Sequence, residues 1–321
     1  MNSYNFVILG DTSIASNLGK KGTSSDITIY DKKVNDNIFS FCFANTYPDK
    51  LQPLFQSLAI SDYAILNITK LDSFLGEQII ALDIFNMKAG FILYSYDVDE
   101  AKIKNIIKNT TLSSFEVLDN FENLKSHILN LSFLEKMKPM EKKEDNVDLD
   151  VYIPIDHAFD VKGVGTVVLG SIKKGKISAY DELRLYPGDK PIMIKSIQMH
   201  DDPVGFSQMP ARVGLAIKGV SAKEISRGDL ISSSTDGKAA VSNNLQIKFI
   251  KNTFFKEDIV ETQNYMASID LQIRTVKVKK IAEDKVNISF EKPIAYVKGI
   301  KCILFKPDSK SMRIIGYGYL D

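Results

Sequence analysis

Four basic residues near the end of the chain have the type and spacing that suit phosphate binding. They are Arg274, Lys277, Lys279 and Lys280. Side chains alternate between the two faces of an extended strand, so Lys277 and Lys279 are predicted to share a face. Such a stripe would neutralise the phosphates of an RNA backbone and give salt-dependent binding. A solvated barrel surface accounts for the same lysines, so both interpretations stay open.

The other reactive side chains form no recognisable catalytic or metal site. His127, His157 and His200 are scattered, and their spacing fits no zinc-ligand pattern. Cys42 and Cys302 lie far apart among apolar residues, which is typical of reduced, buried thiols and excludes a disulfide framework or a cysteine zinc site. No nucleophile–histidine signature and no pair of catalytic carboxylates stands out. We therefore predict no catalytic residue and no bound metal.

Composition excludes several classes of protein. The chain has 321 residues, and its 41 Lys plus Arg against 40 Asp plus Glu give a net charge of +1, which excludes a strongly basic nucleic-acid coat protein. An apolar content of 44% excludes wholesale disorder. The N-terminus lacks the pattern of a signal peptide, and no apolar run approaches the ~20 residues that span a bilayer. We expect a soluble, cytoplasmic protein with neither a membrane nor a DNA partner.

The first part of the chain alternates between two hydrophobic periods. Short apolar runs predict buried strands at residues 4–10, 38–43, 63–68 and 89–94. Between and after them, segments with helical periodicity predict helices at residues 51–61, 72–86, 99–109 and 121–134. Alternation of strand and helix predicts a doubly wound α/β domain over residues 1–135.

The composition changes after this domain. Residues 136–147 are dense in charge and contain one proline, which predicts a linker. From there on, short alternating runs are separated by Gly, Pro and Asp turns at a spacing of about ten residues, which is typical of antiparallel barrels. We predict one β-barrel over residues 148–236 and a second over residues 237–321.

The most specific pattern lies in the first of these barrels. Residues 153–170 read IPIDHAFDVKGVGTVVLG, and ARVGLAIKGV and ISRGDLI follow further on. This order resembles the second domain of the translational GTPases, the elongation factor Tu family. The likeness is closest to the selenocysteine-specific elongation factors of archaeal and eukaryotic type. By itself, the motif indicates that Gly163 and Gly165 let a strand bend at a barrel corner and that Gly170 permits a close approach.

The resemblance implies that the first domain has the fold of a P-loop GTPase, yet its phosphate loop is degenerate. Such a loop needs a glycine, four residues and then Gly-Lys-Ser/Thr, because backbone amides, the lysine and the Mg²⁺-binding hydroxyl together hold the phosphates. Here the strand ends at Gly10, but Ala15, Ser16 and Asn17 occupy the positions of the second glycine, the lysine and the Mg²⁺ ligand. Ser16 is predicted to cap a helix instead.

Two further elements of that family are also altered. The second switch normally begins with a metal-linked aspartate and continues to a glycine and a histidine, whereas this chain has Asn45 followed by Thr-Tyr-Pro-Asp. Of the guanine-reading motif only Asp97 remains. Thr28 could correspond to the threonine of the first switch, although a plain strand residue explains it as well. We therefore predict that GTP and Mg²⁺ binding have been lost and that no cofactor is bound.

The resemblance also places a pocket for the aminoacyl group of a charged tRNA in the first barrel. Its candidates are Asp156, His157 and Arg212, where the cations could attract a selenolate and the carboxylate could accept from an amino group. A turn at Asp156-His157 and a surface ion pair of Arg212 explain the same residues.

The function that the resemblance predicts is that of an elongation-factor-like protein without GTPase activity that binds tRNA, another RNA, the ribosome or another translation component. Two alternatives stay open: an active GTPase with an atypical phosphate loop, and a protein-interaction scaffold with no role in RNA binding. Selenocysteine-specific factors carry a fourth domain, and because this sequence stops after the third, we do not expect it to support recoding alone.

Overall fold

The computed structural model describes residues 1–130, 151–233 and 239–320. The chain divides into two compact units, of which the first contains residues 1–130 and the second contains residues 151–320 of the described ranges. The predicted linker at residues 136–147 lies outside the described residues. The predicted boundary between the two barrels stays a prediction.

The first unit is an α/β domain with short connections. Its strands are β1 (Asn2–Gly10), β2 (Lys20–Ser24), β3 (Ile27–Val34), β4 (Asn37–Ala44), β5 (Tyr63–Ile68), β6 (Gly90–Tyr94) and β7 (Glu116–Leu118). Its helices are α1 (Ala15–Leu18), α2 (Gln52–Ala59), α3 (Ser73–Ile84), α4 (Glu100–Ile107) and α5 (Phe121–Leu129). All four predicted strands and all four predicted helices are present, although α5 is described only as far as Leu129.

The seven strands form one mixed sheet in the order β2-β3-β4-β1-β5-β6-β7. The five strands from β4 to β7 in this order are parallel to one another, whereas β3 pairs antiparallel with β4 and β2 pairs antiparallel with β3. Successive side chains of a strand point to opposite faces of the sheet, so the core of this domain has a part on each face. Phe6 and Phe41 pack in the cluster that includes α1 and α5, whereas the Cys42 thiol points the other way and donates to the Ser57 carbonyl of α2 at 3.5 Å. The predicted doubly wound domain is confirmed.

The second unit begins with a closed antiparallel barrel. Its strands are β8 (Tyr152–Val161), β9 (Gly165–Ile172), β10 (Lys176–Ser178), β11 (Glu182–Tyr186), β12 (Lys190–Met199), β13 (Asp202–Val204), β14 (Phe206–Gln208), β15 (Ala211–Lys218) and β16 (Leu230–Ser232). Six strands follow one another as β11-β16-β8-β9-β15-β12, and pairing of β11 with β12 closes the ring. The short strands β10 and β14 pair separately. The prediction of a barrel is confirmed.

Two of the three glycines in the motif of this barrel have a different role from the one predicted. Gly163 and Gly165 do not bend a strand at a barrel corner, because they belong to the hairpin between β8 and β9, where their φ angles are +82° and +99°. Glycine adopts this left-handed region without the strain that a side chain would add. Gly170 does permit a close approach, since a Cβ there would lie 2.7 Å from the carbonyl oxygen of Pro154.

The second barrel is a seven-stranded antiparallel sheet. Its strands are β17 (Ala240–Lys248), β18 (Ile250–Lys251), β19 (Asn264–Ile269), β20 (Gln272–Ala282), β21 (Lys285–Tyr296), β22 (Lys301–Phe305) and β23 (Ile314–Tyr319). Their order is β17-β21-β20-β19-β22-β23-β18. The two outermost strands, β17 and β18, are separated only by Phe249, so the sheet must curl round its own core. Within it β23 lies between β22 and β18.

The two barrels of this unit are joined through a buried contact. The Tyr152 hydroxyl of the first barrel donates to the Asp270 carboxylate in the β19–β20 turn of the second. Burial raises the pKa of Asp270, against the opposing effects of this hydrogen bond and the charge of Lys173. Gly228 approaches the second barrel so closely that a Cβ would lie 2.6 Å from Cγ of Gln272. Contact this tight fixes the two barrels against each other at this point.

Candidate functional site

The segment after β1 occupies the place where a P-loop domain binds phosphate. Gly10 has a φ of +75°, and its N–H donates to the Gln78 side chain of α3 at 3.1 Å. The Asp11 N–H donates to the Asn67 carbonyl at 2.9 Å, and the Asn67 amide donates back to the Asp11 carbonyl at 2.9 Å. The Ser13 N–H donates to the Asp11 carboxylate at 2.9 Å. Neighbouring groups of the protein therefore already engage three amides of this segment.

The helix that follows is only four residues long. Ala15 is buried in the core beneath the sheet, whereas Ser16 and Asn17 are exposed on the outer side of α1. Ser16 does not cap a helix as predicted, because it lies inside α1 and its hydroxyl donates to the Ser13 carbonyl at 3.1 Å. The capping oxygen belongs to Asp11 instead, which precedes the 3-10 turn at residues 12–14. A helix of one turn offers little macrodipole to an anion.

The position of the second-switch aspartate is occupied by an amide that bonds to its neighbours. The buried Thr28 hydroxyl on β3 donates to Oδ1 of Asn45 at 2.9 Å, and the Asn45 amide group donates to the Ser25 carbonyl. Thr28 is a strand residue paired with Phe43. Further along, the Tyr47 hydroxyl donates to the Phe74 carbonyl of α3 at 2.8 Å. The segment is thus attached both to β3 and to α3.

Asp97, the remnant of the guanine-reading motif, lies in an exposed turn after β6. The residue at the position of the asparagine in that motif is Tyr94, and its hydroxyl donates to Glu100 at 2.8 Å. The hydrogen bond to Glu100 raises the pKa of the Tyr94 phenol, and burial and the negative charge of Glu100 add to this effect. The tyrosine side chain therefore faces α4, whereas Asp97 is directed to solvent.

The three predicted pocket residues of the first barrel meet in one cluster. The Arg212 guanidinium on β15 donates to the Asp156 carboxylate, and His157 Nδ1 lies 3.0 Å from its other oxygen. Nε of Arg227 donates to the backbone carbonyl of Asp156 at 3.2 Å. Asp156 is only 7% exposed and the Arg212 side chain 16%. Burial alone would raise the pKa of Asp156, but the charge of Arg212 and the hydrogen bond with His157 outweigh it and lower that pKa.

The predicted basic residues of the second barrel separate into two groups. Lys277 and Lys279 are both exposed on the outer face of β20, while Val276 and Val278 between them lie in the core. Lys280 is the next residue after Lys279, so strand alternation places it on the opposite face of β20. It lies beside the register shift at the end of the strand. Arg274 is half-buried. Burial raises the pKa of Asp229 in the first barrel, and the charge of Arg274 opposes this effect. Arg274 is therefore part of the contact between the barrels and is not in line with Lys277 and Lys279.

Strand register surrounds the two lysines with neutral polar side chains that the sequence alone did not reveal. Lys277 lies between Asn264 of β19 and Ser289 of β21, and Lys279 pairs with Asn287. On β17 the next residues in register are Asn244 and Gln246. We call this surface the polar lattice, and its residues are Lys277, Lys279, Asn264, Asn287, Ser289, Asn244 and Gln246. None of the seven is acidic, and the Ser289 hydroxyl donates to Asn244 at 2.8 Å.

Two further features are absent from residues 1–130, 151–233 and 239–320. No group of three or more His, Cys, Asp or Glu side chains is placed to hold a metal ion within these ranges. No helix in them is long and apolar enough to cross a membrane.

Comparison with known proteins identifies the family. No family model matches the chain. An uncharacterized protein of Methanocaldococcus jannaschii is 36% identical over 308 residues, which cover 96% of each chain. The selenocysteine-specific elongation factor of the same organism is 28% identical over 280 residues, or 76% of this chain and 58% of that factor. The chain belongs to the same family as the uncharacterized protein. It is related to the selenocysteine-specific elongation factors of the translational GTPases, so the resemblance predicted from the barrel motifs is confirmed.

A solved member of the family has the same fold. The crystal structure of translation elongation factor SelB from Methanococcus maripaludis, in complex with the GTP analogue GppNHp, superposes with a TM-score of 0.82. The superposition covers 100% of this chain and 80% of that one, at 22% identity. The predicted order of a GTPase-like domain followed by two β-barrels is thus also the architecture of SelB. The predicted site residues stay predictions.

Proposed function

We propose that this chain is an elongation-factor-like RNA-binding protein that no longer binds or hydrolyses GTP. The observation that carries the proposal is the closed segment after β1, where Gln78, Asn67 and Asp11 accept the hydrogen bonds that a phosphate group would need. Backbone amides that cradle phosphate must be free to turn toward it. Here they would first have to leave their partners within the protein.

The proposed loss of Mg²⁺ rests on the residues of the two switches. Magnesium binds through carboxylate and hydroxyl oxygens in a near-octahedral shell. In this chain Asn45 supplies a neutral amide, and its oxygen is occupied by the Thr28 hydroxyl at 2.9 Å. Asn17 is exposed on α1 and supplies no hydroxyl. The Asn45 oxygen, on which a metal ion would depend, therefore already accepts a hydrogen bond from Thr28.

The affinity that would be lost can be bounded from these contacts. Hydrogen bonds to a charged group contribute roughly 1.5–3 kcal/mol each. Loss of three such contacts would remove roughly 4.5–9 kcal/mol, or about 10³- to 10⁶-fold in affinity. The missing lysine and metal ligand would lower the affinity further. A nucleotide site of ordinary strength would then bind too weakly to be occupied.

The RNA-binding part of the proposal rests on the polar lattice. Its ammonium, amide and hydroxyl groups are the side chains that contact nucleic-acid phosphates and sugars, and none of its residues would repel a phosphate. Strands spaced about 4.8 Å apart spread these donors over roughly 14 Å by 7 Å. A surface of this size and charge suits the backbone of an RNA and carries no information about its sequence. Transfer RNA, another RNA and the ribosome all present such a backbone, and a protein with these partners would reside in the cytoplasm.

The cluster around Asp156 supports a charged tRNA as the ligand. Arg212 and His157 place two nitrogen-bearing side chains beside one carboxylate. A ligand with a negative side chain and an amino group would match this arrangement of cation and carboxylate. Because Arg212 and Asp156 are already paired with each other, such a ligand would have to separate them and take the place of one partner. The cluster therefore supports a pocket whose opening depends on the ligand.

Titration calorimetry with GTP and with GDP, each in the presence of Mg²⁺, tests the loss of nucleotide binding. We expect no heat of binding and no release of phosphate from GTP. Binding at micromolar affinity or tighter would refute this part of the proposal. It would favour instead the alternative of an active GTPase, which the GppNHp complex of the related SelB supports.

Filter binding across a salt series tests the RNA-binding part. The double variant Lys277→Ala/Lys279→Ala should weaken tRNA binding and reduce the salt slope by about 2, because each phosphate contact contributes about 1. A control variant, Lys102→Ala/Lys108→Ala, removes two exposed lysines at α4 and should bind like the wild type. Absent or salt-insensitive binding would favour a scaffold that contacts only proteins. Arg212→Ala should weaken aminoacylated tRNA selectively, and equal weakening of uncharged tRNA would count against the pocket.

A further inference from the structure

An exposed tyrosine on the first barrel has an unusual backbone conformation. Tyr180, in the turn between β10 and β11, is 73% exposed, and its φ is +73°. This region is sterically costly for a residue with a bulky side chain. The turn is held by hydrogen bonds, since the Tyr180 N–H donates to the Ile194 carbonyl and the Ser178 N–H to the Asp181 carboxylate, both at 2.7 Å. The fold thus holds an aromatic ring in solvent at an energetic cost.

A second exposed aromatic ring lies on the adjacent strand. Phe206 of β14 is 55% exposed and lies opposite Ser178 of β10 in register. The Ala179 N–H donates to the Gly205 carbonyl at 3.1 Å, so the residues that directly precede the two rings are bonded to each other. Tyr180 and Phe206 therefore stand on neighbouring chain segments whose relative position is fixed.

A positive charge lies over the second of these rings. The Lys176 ammonium lies over the Phe206 ring, 4.5 Å from its centroid. Lys176 ends the run Lys-Lys-Gly-Lys at residues 173–176. Two acidic residues follow Tyr180. Asp181 accepts the Ser178 N–H and so serves the turn itself, whereas Glu182 is exposed at the start of β11. We name the surface formed by Tyr180, Phe206 and Lys176 the aromatic platform.

Exposed rings beside a cation suit one class of partner better than others. Unpaired nucleobases stack on aromatic side chains while basic groups follow the backbone, and such binding tolerates many sequences because every base has a π-face. Aromatic anchors of protein interfaces tend instead to fill well-packed, desolvated pockets. Here both rings are more than half exposed. The combination of projecting rings and positive charge favours single-stranded RNA.

We propose that the aromatic platform binds unpaired bases of RNA by stacking. This rests on the RNA binding proposed above and adds a second surface to it. The polar lattice would contact the backbone of a paired region, and the platform on the first barrel would take bases that are not paired. The RNA recognised would then contain both a duplex and a single-stranded segment.

The test uses the full chain and two fluorescent RNA probes of equal length, a single strand that carries 2-aminopurine and its duplex. Tyr180→Gly removes one ring and suits the positive φ, so it should fold, and Phe206→Leu keeps an apolar side chain without a π-face. We expect the double variant to bind the single strand at least roughly 5-fold and up to about 150-fold more weakly, and to lose the quenching of 2-aminopurine that stacking causes. Duplex binding should stay unchanged.

Two comparisons make the result decisive. Tyr180→Phe keeps the ring and should bind the single strand like the wild type, whereas Lys277→Ala/Lys279→Ala should weaken the duplex most. Single-strand binding and quenching that stay at wild-type level in Tyr180→Gly/Phe206→Leu would overturn the platform and leave those rings to a protein partner. Equal loss for both probes would also overturn it, because stacking acts on unpaired bases. If the wild type binds neither probe, the proposed function fails together with the platform.

Discussion

Replacement of Arg212 by alanine tests whether its ion pair with Asp156 supports the first barrel. The side chain of Asp156 is 7% exposed, so in the folded protein its charge is compensated mainly by protein partners. Removal of one partner from a buried ion pair destabilises a protein by about 3–5 kcal/mol, because the remaining charge is left uncompensated. His157 stays 3.0 Å from the other carboxylate oxygen. We therefore expect a loss near the lower end, about 3 kcal/mol at neutral pH.

The pH dependence of this loss has a definite sign. In the wild type the pKa of Asp156 is lowered, so the pair stabilises the fold above the ordinary carboxyl pKa, and this stabilisation is lost as the pH falls through the folded value. In Arg212→Ala the buried carboxylate lacks its principal counter-charge, and protonation relieves the penalty. The difference in the free energy of unfolding between wild type and variant should therefore narrow toward acidic pH.

Urea unfolding followed by far-UV circular dichroism measures this difference, at neutral pH and in steps down to about pH 4. The matched control is Arg184→Ala, because the Arg184–Asp189 pair lies on the same barrel with side chains 30% and 58% exposed. That variant should unfold at the wild-type midpoint. If Arg212→Ala unfolds like the control, or if its deficit is the same at every pH, the account of a buried, functionally charged pair is wrong.

Three other expectations concern the second unit. Burial raises the pKa of Asp270, so its ionisation should cost stability as the pH rises through that folded value, and Asp270→Asn should abolish this decline in a pH series of urea midpoints; an unaltered decline would contradict it. Gly228→Ala places a Cβ 2.6 Å from Gln272 and should lower the urea midpoint well below that of Gly163→Ala, which has a similar positive φ but open space; equal midpoints would argue against a tight contact. Burial raises the pKa of Cys302 to about 12, so a thiol reagent should modify it only in urea, and rapid native labelling would show that the barrel opens.

Much of the fold could be predicted because local patterns and tertiary structure agree. The strands β9 and β11 have the bounds that their alternating runs indicate, since the turn residues on each side leave little choice. The strand β2 was missed because its sequence, KKGTS, is polar, as is common for the outermost strand of a sheet. Residues 263–273 read as one continuous alternating run, but they contain a hairpin, and Asp270 adopts φ +52° at its turn.

The candidate sites were less accessible from sequence, because their geometry depends on long-range contacts. The contact of Tyr152 with Asp270 joins residues 118 positions apart. The neutral neighbours of Lys277 come from three other strands, and only register places them together. Ser16 is a good helix cap by type, but Asp11 comes first along the chain and takes that role. Sequence supplied the candidate side chains, whereas their partners required the structure.

The position of β23 in the second barrel sets an order in which that barrel can form during synthesis. β18 ends at Lys251 and pairs with β23, which begins at Ile314, so its partner leaves the ribosome about 60 residues later. At about 5–20 residues per second this is a delay of roughly 3–12 seconds. During that interval Phe249 and its apolar neighbours have no closed core to enter. A nascent chain of this protein therefore passes through a stage in which chaperone binding to the half-formed sheet would be most useful.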